Sequence, residues 1–187
     1  MSVVIKETDL PGVLLVESGV YEDQRGSFKE LYHSGKYKDA GLHEEFVQDN
    51  HSHSTKGVLR GLHYQLEHGQ GKLISAVSGE IFDVAVDIRE GSPQFGEWIG
   101  VRLNPDSGEQ LYIPPGFAHG FQVLSDTADV VYKCTELYHP EDEYGLLWSD
   151  ADINIDWPLK NPILSDKDKS FMELKDINKE QLPEFRD

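Results

Sequence analysis

Apolar and polar residues alternate along most of this chain with a period of two rather than 3.6. In "EIFDVAVDI" (80–88), Phe82, Val84, Val86 and Ile88 alternate with Ile81, Asp83, Ala85 and Asp87, the pattern of a strand with one face in a core. Comparable runs occur at 13–21, 29–34, 46–52, 72–78, 97–103, 120–125 and 128–138. Between them stand "SGE" (78–80), "REGSPQFGE" (89–97), "NPDSGEQ" (104–110) and "IPPGFAHG" (113–120), each with Gly or Pro where the chain must reverse. The spacing predicts an all-β antiparallel sandwich or barrel. Helix signals are few: "SGKYKDAG" (34–41) predicts one short helix ending at Gly41, and 165–174 predicts another. With no repeat and no Ser/Gly/Pro-rich linker, residues 1–187 read as a single domain.

Composition narrows the function classes. A chain of 187 residues, 38% of them hydrophobic, sustains one core. Its longest apolar runs, such as "VLLV" (13–16), are too short for a bilayer, and "MSVVIKETDL" lacks a signal peptide's apolar region. A soluble, cytoplasmic protein with no membrane partner is expected. The single Cys134 forms no intrachain disulfide and is expected to be buried and inert. A net charge of −17 argues against a nucleic-acid partner, whose phosphates need many cations. A small phosphorylated ligand remains compatible, because distant surface acids are screened over about 8 Å at physiological salt.

Against this background "RGLHYQ" (60–65) carries unusual polar chemistry for a strand. Strict alternation would put Arg60 and His63 on opposite faces, but a glycine inside a strand marks a bulge that shifts the phase, and Gly61 lies between them. Both are then expected to face one interior. His119 follows the tight "PPG" turn, which fixes its approach. In "VVYKCTELY" (130–138), Tyr132, Cys134, Glu136 and Tyr138 share parity, so two phenols point into the same cavity if the strand stays regular.

These stretches resemble the dTDP-4-dehydrorhamnose 3,5-epimerase family. The resemblance runs through "RGSFKE" (25–30), "FVQDNHSHS" (46–54), "GVLRGLHYQ" (57–65), "GQGKLISAVSGEIFDVAVDIR" (69–89), "YIPPGFAHGFQVLSD" (112–126), "VVYKCTELYHPEDE" (130–143), "DINIDWP" (152–158) and "LSDKD" (164–168). It implies a cupin-type jelly roll with a few short peripheral helices, and inversion of carbons beside a sugar ketone without a cofactor or metal. By resemblance His63 is the base and Asp168 its carboxylate partner, Lys72 holds the charge that develops on the carbonyl oxygen, and Tyr132 is the acid. These roles suit the chemistry of imidazole, ammonium and phenol. The family's substrate-binding positions fall on Arg25, Glu30, Gln48, Asn50, Arg60, His119, Tyr138, Glu143 and Lys167. It also implies a homodimer that exchanges an N-terminal strand, with a dTDP-sugar as the small-molecule partner.

Blander or competing readings accompany these. Asp168 stands three residues after Ser165, which also suits the first turn of a helix without catalysis. Tyr138 competes with Tyr132 for the acid's role. His51 and His53 lie on one strand face as a lone pair, and His33, His43, His68 and His139 read as surface residues. A metal-dependent cupin would use His63, Gln65 and His119 as neutral ligands, with Lys72 opposing the ion. A sugar-binding jelly roll without activity would lack a working base and acid, and single-site relatives epimerise only C3 or only C5.

Overall fold

The computed structural model describes residues 2–185. Two antiparallel sheets face each other, the jelly-roll arrangement expected. In spatial order the larger contains β1 (Val3–Glu7), β2 (Leu14–Ser18), β10 (Glu109–Ile113), β7 (Lys72–Ser78), β12 (Thr127–Cys134) and β5 (Gln48–Thr55). The smaller contains β13 (Glu143–Gly145), β6 (Leu59–Gln65), β11 (Phe117–Val123), β8 (Ile81–Asp87) and β9 (Trp98–Leu103). A separate hairpin joins β3 (Val20–Asp23) to β4 (Gly26–Lys29). The N-terminal strand expected to pass to a partner pairs with this chain's own β2, Val3 opposite Ser18 through Glu7 opposite Leu14.

Three apolar layers hold the sheets. Ile74, Ala76, Leu111 and Val130 from the large sheet pack on Ile81, Ala85, Phe117, Phe121 and Val123 from the small one. The outer face of the small sheet, including Val84, Val86 and Ile88, is covered by Ile153, Leu174, Ile177 and Leu182 of the C-terminal segment. Each such aliphatic side chain contributes about 1.5–3 kcal/mol when fully buried. The outer face of the large sheet receives Tyr37 and Leu42 over Val16, Leu73 and Tyr112. β8 therefore differs from the expected one-sided strand. Its strongly apolar face meets the C-terminal segment, and the face bearing Asp83 looks between the sheets.

Other boundaries moved for local reasons. The strand expected over 29–34 is irregular beyond Lys29, because His33 Nδ1 accepts from Lys36 N–H and caps α1 (Ser34–Asp39). Gly41, with φ of +111°, ends that helix as expected. The 165–174 stretch shortens to α2 (Asp166–Lys169), and 3-10 turns follow at Leu174–Asp176 and Lys179–Gln181. Among the described residues no helix is long and apolar enough to cross a membrane.

The expected irregularity at Gly61 is present. His119 pairs with His63 and Phe121 with Arg60, so three steps along β6 oppose two along β11. Gly61 has φ of +120°, and a Cβ there would lie 2.6 Å from Gly120 Cα. Only glycine permits both that conformation and that approach. The shifted phase brings Arg60 and His63 to the same cavity.

Candidate active site

A cavity of about 660 Å³ opens between the sheets. It brings together His63, Lys72, Tyr132 and Asp168 with Gln48, Asn50, Arg60, His119, Tyr138, Glu143 and Lys167. The small sheet contributes His63 from β6, and the large sheet faces it with Lys72 from β7 and Tyr132 from β12.

α2 brings a carboxylate to His63. Ser165 Oγ accepts from Asp168 N–H at 3.0 Å, and the Asp168 carboxylate lies 2.7 Å from His63 Nε2. The helix-start reading and the carboxylate-partner reading of Asp168 thus both hold geometrically. Burial pushes the Asp168 carboxyl up, but the His63 hydrogen bond and charge, aided by Gly61 and Ser165, hold it below the usual carboxylate range. An ionised Asp168 accepts the Nε2 proton and leaves Nδ1 as the basic nitrogen, with Glu143 Oε1 3.9 Å from it. Phe171 packs against the imidazole at nearly a right angle, the two ring centroids 5.7 Å apart.

The opposite wall separates the two phenols. Tyr138 lies beyond the end of β12 at Cys134, so strand parity does not place it; a loop brings it to the cavity instead. Its hydroxyl donates to Glu143 Oε2 at 2.6 Å, and this bond raises its pKa to about 12. The Tyr132 hydroxyl has no hydrogen-bond partner among the described residues, and burial followed by the field of Cys134 raises its pKa. It is a protonated phenol available to a ligand.

Lys72 is buried against this wall. Loss of water lowers its pKa, opposed by the fields of Cys134, Glu143 and Asp83. Arg60 donates through Nε to Ser54 Oγ at 3.0 Å. Lys72 and Arg60 are thus cavity-lining cations without an ion pair among the described residues. Lys167 is bound to Glu143, and Gln48 bridges the Tyr138 N–H to Asn50.

Arg25 and Glu30, substrate-binding positions by resemblance, are not among the residues that line this chain's own cavity. Arg25 forms a fork on Asp23 across the β3–β4 turn, and Glu30 pairs with Lys36 at 2.7 Å. The same hairpin exposes Tyr21 and Phe28. Gln65 is also not a free ligand: its amide donates to His68 O and Leu137 O and accepts from His139 N–H. Among the described residues no cluster of three or more His, Cys, Asp or Glu is arranged to hold a metal ion.

Sequence reasoning missed Asp83, whose Oδ1 lies 2.7 Å from His119 Nε2. Its available signal was an acid between Ile81 and Ala85 on one face of a mostly apolar strand. It also missed Ser52, which shares the inward parity of Gln48 and Asn50 on β5. The apolar end of the cavity, made by Val58, Leu59, Phe121, Ile163 and Leu164, depends on folding and has no local signature.

Fold and site define a cupin-type jelly-roll isomerase with a carboxylate-backed imidazole facing a phenol and an ammonium. The family model for dTDP-4-dehydrorhamnose 3,5-epimerase matches residues 7–176, and the chain belongs to that family. A dTDP-4-dehydrorhamnose 3,5-epimerase of Shigella flexneri is 59% identical over 167 residues, covering 88% of this chain and 92% of the relative. The crystal structure of a dTDP-6-deoxy-D-glucose-3,5-epimerase of Legionella pneumophila in complex with dTDP-4-keto-L-rhamnose superposes with a TM-score of 0.95 at 48% identity, covering 99% of this chain and 100% of the other. A 3′-monoepimerase of Streptomyces bikiniensis in complex with dTDP-quinovose superposes at 0.89 with 32% identity, covering 95% and 91%.

Proposed function

We propose that this chain epimerises dTDP-4-dehydro-6-deoxy-D-glucose at C3 and C5, giving dTDP-4-dehydro-L-rhamnose for dTDP-L-rhamnose biosynthesis. The observation that carries this reading is the placement of His63 and Asp168 across one cavity from the unpaired Tyr132 hydroxyl and Lys72. The acidity of a proton beside the C4 ketone comes from the enolate it leaves. His63 Nδ1 takes that proton, and Asp168 stabilises the imidazolium. Lys72 stabilises the negative charge on the C4 oxygen. Tyr132 then protonates the carbon from the facing sheet, which inverts it. Exchange with solvent returns a proton to the phenolate and removes one from the imidazolium. A small shift of the sugar presents the second carbon to the same pair, and no cofactor enters. Arg60 is set for the diphosphate, as an unpaired guanidinium suits phosphate oxygens.

The working unit in this reading is a homodimer. Arg25 and Glu30 serve the cavity of the partner subunit, which accounts for their position on a hairpin that exposes Tyr21 and Phe28 and misses its own cavity. Similarity to a 3′-monoepimerase favours one alternative, inversion at C3 alone. Incubation of the protein with dTDP-4-dehydro-6-deoxy-D-glucose in heavy water, followed by NMR, separates the two. Deuterium at both carbons is expected; deuterium at one carbon selects the single-site reaction, and none at either refutes both.

A further inference from the structure

Asp83 is a charged side chain in a place where the fold gains nothing from charge. It lies on the face of β8 that also carries Ile81 and Ala85, between the sheets, with 0% exposure. Its Oδ1 accepts from His119 Nε2, whereas its buried Oδ2 has no hydrogen-bond partner among the described residues. A buried polar atom without a partner costs stability, and an apolar side chain of similar volume is often at least as favourable for folding.

One basic group of the cavity wall, His119, touches this carboxylate, and a second, Lys72, lies within its field. Phe121 stands opposite Asp83 in the β8–β11 register and His119 opposite Ala85, so the imidazole reaches Asp83 diagonally over a small neighbour. With Nε2 committed to Asp83, Nδ1 is the ring nitrogen left for a ligand. Lys72 approaches from the facing sheet, and Asp83 is one of the negative groups, after Cys134 and Glu143, whose field favours its ammonium form. These relations place Asp83 behind the charged side of the site, where it can act only through other residues.

We propose that Asp83 is a positioning residue for proton transfer: it orients His119 with Nδ1 toward the substrate and supports the positive charge of Lys72 when the C4 oxyanion forms. This rests on the epimerase reading above. The residue touches no reacting atom, so its effect is on orientation and charge.

Asp83→Asn tests this, because it preserves shape and removes the charge. The expected variant melts at or above the wild-type temperature. Its kcat for deuterium exchange falls about tenfold or more while KM changes less than about threefold. The alkaline limb of its kcat profile moves down by about one pH unit, the scale of losing one nearby opposite charge. Asp83→Glu, which keeps the charge, should leave that limb in place, and it supplies the decisive comparison if Asp83→Asn does not fold. Nitrogen NMR of His119 and Lys72 in the substrate-free variants gives a readout independent of turnover. A wild-type kcat and alkaline limb in Asp83→Asn, or a displaced limb in Asp83→Glu, would overturn the proposal. If the wild type itself exchanges no deuterium, the epimerase reading fails instead. The NMR comparison then decides about Asp83: an altered His119 tautomer and an earlier Lys72 titration support it, and unchanged spectra refute it.

Discussion

Replacing Asp168 by Asn isolates what the carboxylate adds to the base. The amide oxygen can still accept from His63 Nε2 at the position of Oδ1, and the Ser165 cap acts on the backbone N–H, so the start of α2 is preserved. The contact with Gly61 N–H, at 3.5 Å, is too long to contribute much. The remaining loss is the charge facing an imidazolium across 2.7 Å. A hydrogen bond to a charged group contributes about 1.5–3 kcal/mol, which corresponds to about a 10- to 150-fold fall in exchange rate if it is fully expressed in the transition state. Stability should respond with a defined sign. The folded-state pKa of Asp168 is depressed, so its contribution is present above the unfolded carboxylate value and disappears as pH falls through the folded one. The variant should therefore melt below wild type at neutral pH and converge with it in acid. The assay is deuterium incorporation at C3 and C5, with melting curves taken at neutral and acid pH. Exchange within about threefold of wild type in a folded variant would refute the assignment of Asp168 to the base.

Other perturbations address the opposite wall and the assembly. Tyr132→Phe should allow exchange at carbon through His63 but impair inversion; full inversion would move the acid's role to Tyr138. Lys72→Met should lower the rate about 10²- to 10³-fold, the scale for a missing oxyanion partner, while raising the melting temperature. The stability sign follows from burial: the folded chain holds the Lys72 proton more weakly than the unfolded chain, so the ammonium costs stability at neutral pH and that cost fades as pH rises toward the ordinary lysine value. A less stable variant with retained turnover would contradict both statements. If Arg25 serves the partner subunit, inactive Arg25→Ala and His63→Ala proteins, mixed and allowed to exchange subunits, should recover about a quarter of wild-type activity, because half the dimers are mixed and each has one intact site. No recovery despite subunit exchange would return Arg25 to its own chain.

Much of the architecture was legible locally. The 72–78 run became β7 with the same bounds, and Gly41 closed α1, because period-two alternation and glycine conformation are properties of a few adjacent residues. The bulge at Gly61 was legible for the same reason, and with it the common orientation of Arg60 and His63. By resemblance the sequence also singled out His63, Tyr132 and Lys72, which the cavity gathers.

Tertiary structure decided what depends on partners distant in sequence. Alternation shows that β8 has two faces, but only the C-terminal cover reveals that the apolar face is outermost and that Asp83 lies inside against His119. Parity placed Tyr138 on a strand that ends four residues earlier, where the chain turns away and Gln65 holds the loops instead. Arg25 and Glu30 matched the motif yet do not line this chain's cavity, since a motif fixes neighbours along the chain and not what a segment folds against. Local periodicity thus set the strands and their faces, whereas the closing of one sheet over the other selected which faces meet, because those contacts join residues tens of positions apart.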